Sequence, residues 1–108
     1  MITLTQRAAE QVKYAAEEGG MAGLALRLAV KKNPDDSLDY GMGFDEPKDD
    51  DLESKSHGVE IIYAAAFGPL LEGMEIDYVE YQPGDYRFIF LNPNDANYTP
   101  PTEEAGGA

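Results

Sequence analysis

Residues Leu24–Pro47 read LALRLAVKKNPDDSLDYGMGFDEP, and the spacing of their apolar side chains decides what this part of the chain builds. Leu24, Leu26, Leu28 and Val30 fall on one face, with Ala25, Arg27 and Ala29 on the other. That period of two is the pattern of a strand with one buried side. Leu38, Tyr40, Met42 and Phe44 repeat it against Asp39, Gly41 and Gly43. Two such runs joined by a short polar segment pair as an antiparallel hairpin and bury matching faces. The connection, Asn33–Ser37, carries Pro34, Asp35 and Asp36, residue types that suit a turn, and it is the expected seat of any chemistry.

On the N-terminal side, Ile2–Leu4 is a short extended lead-in and Thr5 is placed to cap a helix running to about Glu18. Leu4, Ala8, Val12 and Ala15 give that helix a narrow stripe of mostly small side chains, suited to lying close against a sheet. Gly19-Gly20 ends it.

On the C-terminal side, residues 35 to 53 hold nine acids and one base, Lys48. Such a run predicts a solvated loop and edge, with a docking face for a basic partner as the alternative. Val59, Ile61 and Tyr63 alternate with Glu60 and Ile62 as a third strand after the turn residues His57-Gly58. His57, the single histidine, reads as an exposed turn residue because no second imidazole or thiol exists to complete a site. Ala64 to Glu72 can form one or two helical turns interrupted at Gly68-Pro69, closed by Gly73. Met74, Ile76 and Tyr78, then Tyr86, Phe88 and Phe90, mark two more strands joined through Pro83-Gly84, with the aromatic side chains expected in the core.

The 108 residues suit one domain, placed at 1–98, and a mobile tail at 99–108 too poor in apolar side chains to offset the entropy of ordering. With 43% apolar residues the chain is globular in composition, while 8 bases against 21 acids give a net charge of −13. That balance repels phosphate backbones and anionic lipid, so neither nucleic acid nor a membrane surface is an expected partner. Basic protein surfaces or metal ions are. No run approaches the ~20 apolar residues of a bilayer span, and the N-terminus lacks a signal-like apolar stretch, so a cytoplasmic location is expected.

Cysteine is absent, which removes disulfides, zinc-thiolate sites and cysteine nucleophiles together. No phosphate-binding glycine loop, GxSxG or HExxH occurs, and no nucleophile–base pair can be assembled, so no enzymatic activity is expected. Asp35, Asp36 and Asp39 could offer oxygen ligands to a cation such as iron or manganese, against the simpler account of a solvated turn.

Several short motifs then fall into a known order: ITLT before the first helix, LRLAV in the first strand, Tyr40 and FDEP, HGVEI, LLEGMEIDYVE, and FIFLNPN at Phe88–Asn94. In these the chain resembles the HesB/IscA-type, or A-type, iron-sulfur carrier family. The resemblance implies a mainly β fold with α (α+β): a β-sandwich of mixed short strands with an N-terminal helix and one short helix near Ala64 to Glu72. It also implies proteins of iron-sulfur assembly as partners and a homodimer or higher oligomer. Members of that family hold cluster iron on three cysteines, one in the turn between the first two strands and two in a CxC pair after Asn-Pro-Asn. Thiolates are the soft ligands that suit this chemistry.

Counting without gaps places Asp35, Thr99 and Pro101 at the equivalent positions here. No cofactor is therefore expected by the family's route, and an iron or iron-sulfur site is put in doubt. The expected function is an accessory role in iron-sulfur cluster assembly through protein contacts. The alternatives are a carboxylate-based metal-ion binder or an interaction scaffold unrelated to clusters.

Overall fold

The computed structural model describes residues 1–96. Thr99, Pro101 and the expected tail lie outside the described residues. In chain order the elements are β1 (Thr3–Leu4), α1 (Gln6–Glu18), β2 (Ala25–Lys32), β3 (Leu38–Asp45), β4 (Asp51–Ser56) and β5 (Val59–Ala64). A 3-10 turn (Ala65–Phe67), α2 (Gly68–Leu71), β6 (Glu75–Gln82) and β7 (Asp85–Leu91) follow.

The alternation in Leu24–Pro47 produces the expected hairpin. β2 and β3 pair antiparallel from Ala25↔Asp45 to Lys32↔Leu38. The hairpin does not stand alone: β2 also pairs parallel with β5, giving a four-stranded sheet in the order β3-β2-β5-β4. A second sheet has the order β1-β6-β7, with β1 parallel to β6. The mixed α+β architecture read from the sequence is the one observed.

The core gathers Leu26, Leu28, Val30 and Leu38 from the hairpin, Ile61 and Tyr63 from β5, and Ile76 from β6. Ile2, Leu4 and α1 pack onto the same cluster. Across it the ring of Tyr40 on β3 stacks on Phe90 of β7, centroids 4.6 Å apart, so the two sheets touch through aromatic faces. Helix α1 buries Ala8, Ala9, Val12 and Ala16. Its buried stripe thus ends on Ala16, one residue beyond the expected Ala15. The Thr5 hydroxyl accepts from the Ala8 N–H at 3.2 Å, and it donates to Asp77 at 2.6 Å. Arg7 adds two bonds of 2.8 Å to the same carboxylate. The Arg7 guanidinium, then the Thr5 hydroxyl and the Tyr78 N–H, hold the Asp77 carboxyl down at about 2.

Besides Ala15, and Tyr86, which is 54% exposed where the core was expected, three readings need correction. Leu24 lies before β2 and is 38% exposed, because Gly23 at φ 97° turns the chain there. Ile62, placed with Glu60 on a polar side, is fully buried on β5, an inner strand between β2 and β4, while Glu60 on the same face is exposed. The third concerns the acidic run, whose end is a regular strand. β4 pairs antiparallel with β5 from Asp51↔Ala64 to Ser56↔Val59.

Periodicity missed β4 because serines take inward positions. Ser54 Oγ donates to the Ile2 carbonyl at 2.9 Å, while Ser56 Oγ accepts from the Leu4 N–H at 3.0 Å and donates to the Leu4 carbonyl at 3.2 Å. Hydroxyls here complete the hydrogen bonding of β1 and join the two sheets. His57 and Gly58, both at positive φ, make the two-residue connection from β4 to β5, and His57 is exposed as expected.

Candidate site at the Asn33–Ser37 turn and the Asn92–Asp95 segment

The hairpin turn closes on itself. The Asn33 N–H donates to the Ser37 carbonyl and the Asp36 N–H to the Asn33 carbonyl, each at 2.9 Å. One oxygen of Asp35 accepts from both the N–H and the hydroxyl of Ser37, at 3.0 and 2.6 Å, and the Asn33 amide donates to that hydroxyl at 3.1 Å. These bonds from Ser37, its hydroxyl first, keep the Asp35 carboxyl below the usual carboxylate range. Asp36, at φ 70°, forms an ion pair with Lys32 at 3.5 Å.

Asp39 lies beyond the turn, exposed on β3 in register with Lys31. Among the described residues no group of three or more histidine, aspartate or glutamate side chains is close enough to hold a metal ion. The turn therefore does not gather Asp35, Asp36 and Asp39 into such a group.

The chain leaving β7 behaves differently. Asn92 is 1% exposed and its amide donates to the Leu70 carbonyl at 2.7 Å. Its side-chain oxygen accepts from the Asn94 N–H and the Asn94 amide, both at 2.9 Å. Asn94 Nδ2 also reaches the Glu72 carbonyl at 2.8 Å. Gly73, at φ 79°, lets the chain turn under Pro93, whose Cγ would lie 3.6 Å from a β-carbon there. The Leu-Glu-Gly and Asn-Pro-Asn motifs are thus two halves of one clamp.

Just past that clamp, the Tyr40 hydroxyl donates to Asp95 at 2.8 Å. Burial, reinforced by the bond to Asp95, pushes the Tyr40 hydroxyl up to about 12. The clamp and this bond bring the segment that leads toward Thr99 and Pro101 against β3. The hairpin turn starts beyond Leu38, about 7 Å along the strand from Tyr40. Periodicity assigned Tyr40 and Phe90 to the core but carried no signal for Tyr40–Asp95, a pairing between residues 55 positions apart.

A family model described as iron-sulphur cluster biosynthesis matches residues 1–100. The chain belongs to this family. It is 34% identical over 94 residues to the iron-sulfur cluster insertion protein ErpA of Saccharophagus degradans, spanning 86% of this chain and 80% of that one. Among solved structures, IscA with a 2Fe-2S cluster superposes with a TM-score of 0.76 at 32% identity, covering 89% of this chain and 88% of IscA. Escherichia coli SufA follows with a TM-score of 0.73 at 27% identity, covering 94% and 89%.

The chain has no cysteine, and the carboxylate of Asp35, where the resemblance implies a family ligand, is engaged by Ser37. These residues do not fit a cluster held on thiolates.

The remaining acidic run is organised by two bases, Arg27 and Lys48. Arg27 bonds Asp45 at 2.7 Å, Asp51 at 3.0 and 2.6 Å, and the Glu46 carbonyl at 3.2 Å. Lys48, the Glu46 N–H and Arg27 together lower the Asp45 carboxyl to about 2. Glu46, Asp49 and Asp50 stay exposed and form no ion pair among the described residues. No helix of the described chain is long and apolar enough to cross a membrane.

Proposed function

We propose that this protein is a cytoplasmic accessory factor of iron-sulfur cluster assembly that acts through contacts with other proteins of that system. We assign it no reaction of its own and no cluster on the family's thiolate positions. One observation carries this reading: the Asn92–Asn94 clamp and the Tyr40–Asp95 bond are intact, while the turn that would present a ligand is satisfied internally by Ser37. Maintaining the framework around a site without the site's ligands favours a role in which surfaces, rather than bound iron, are recognised. The charge of −13 favours partners with basic surfaces, and pairing with a second copy or with a cysteine-bearing relative fits the same reading.

The test has two arms. Anaerobic incubation with ferrous iron and sulfide is expected to leave the purified protein without a stable cluster absorption band. In the second arm the immobilised protein is expected to retain an assembly scaffold, a cysteine-bearing carrier such as ErpA, or a cluster-accepting apoprotein. A stoichiometric cluster in the first arm, or no binding to any of these proteins in the second, overturns the proposal.

A further inference from the structure

Bases are scarce in this chain, and most are paired. Arg7, Arg27, Lys32, Lys48 and Arg87 each form an ion pair, whereas Lys13, Lys31 and Lys55 form none among the described residues. Lys13 and Lys55 both line one groove of about 370 Å³ between the second half of α1 and the β4–β5 hairpin. Its apolar floor includes Val12, Ala16, Leu26 and Val59. Lys13 extends over the hairpin turn, its Nζ 3.2 Å from where a β-carbon on Gly58 would stand. No residue of the Asn33–Ser37 turn or the Asn92–Asp95 segment lines this groove, so it is separate from the site described above.

Two ammonium groups without a carboxylate partner among the described residues, beside an apolar floor, form a distinctive combination in so acidic a chain. Glu17 and Glu60 line the same groove, yet neither comes within ion-pair distance of the lysines. The lysines can therefore receive an anion from solution, and the floor can cover an apolar body attached to it. The two glutamates and the overall charge disfavour polyanions and restrict the head to a single small charged group.

We propose that this groove binds a small amphipathic anion, its carboxylate or phosphate head between Lys13 and Lys55 and its apolar body over Val12, Ala16, Leu26 and Val59. The experiment is an NMR titration of the full chain with octanoate and, separately, hexyl phosphate, with octan-1-ol as the uncharged probe. Saturable shifts at the Val12, Ala16 and Val59 amides are expected with at least one anion, and the anion that binds assigns the head as carboxylate or phosphate. In Lys13→Gln with Lys55→Gln the affinity should fall about tenfold or more. Glu17→Gln with Glu60→Gln should tighten it. All four side chains are exposed, so an unchanged spectrum away from the groove will show that the fold is kept. No saturation with either anion, equal affinity in the double-lysine variant, or octan-1-ol binding as tightly as the anions overturns the proposal.

Discussion

The Asn33–Ser37 turn and the Asn92–Asp95 segment are both polar connections at strand ends, but their hydrogen bonds go to different places. The turn bonds within itself, with Asn33, Asp35 and Ser37 serving one another and Lys32 pairing with Asp36. The segment bonds outward, to Leu70, Glu72 and Tyr40. A self-contained turn can change composition without disturbing anything beyond it. A segment whose partners lie 22 and 55 residues away cannot. The contrast explains how a member of this family keeps its framework while presenting no thiol in the hairpin.

Asn92→Ala should break the comparison most severely. It removes a buried amide that satisfies the Leu70 carbonyl and orders Asn94, and the groups left without partners should cost about 2–3 kcal/mol, read from chemical denaturation. A loss smaller than that of Asp35→Ala would mean that the clamp does not hold the framework.

Tyr40→Phe should come second. It keeps the stacking on Phe90 and removes the bond to Asp95, for about 1–2 kcal/mol. Its pH signature is specific. The Tyr40 hydroxyl titrates near 12 in the fold and near 10 when unfolded, so the stability it contributes is complete below pH 10 and lost as pH rises from 10 through 12. In the phenylalanine variant that part of the alkaline loss should vanish from a denaturation series across this range.

Asp35→Ala should lower the melting temperature by less than either. Since Ser37 depresses the Asp35 carboxyl, its contribution is present above the unfolded value near 4 and fades as pH falls below it; thermal melts at pH 7 and pH 3 should converge with the wild type at the lower pH. The smallest effect is expected for Asp36→Ala with Asp39→Ala. Calorimetric titration with ferrous iron or manganese should give the same weak, unsaturated heats as the wild type, because no three-carboxylate group is gathered there. Saturable binding abolished by those changes would restore the turn as a metal site.

Much of this is legible in the sequence. The β2–β3 hairpin follows from the period of two at Leu26, Leu28, Val30 and Leu38, Tyr40, Met42, Phe44, since one-sided burial leaves a strand no other register. Helix α1 announces itself through Thr5 and Gly19, which satisfy or close its ends locally. β4 stayed hidden because Ser54 and Ser56 are inward yet polar, and their value depends on the backbone of β1, 52 residues away.

What the sequence alone determined is the set of features that depend on neighbours in the chain: strand and helix periodicity, the turn chemistry of Asn33–Ser37, the charge of −13 and the absence of every thiol. Only the tertiary structure decided that Asn92 locks the Leu-Glu-Gly turn, that Tyr40 holds Asp95, and that Lys13 and Lys55 face one groove. Hydrogen bonds and unpaired charges between residues far apart in sequence leave no local period to detect. Their partners are chosen only when the two sheets close over a common core.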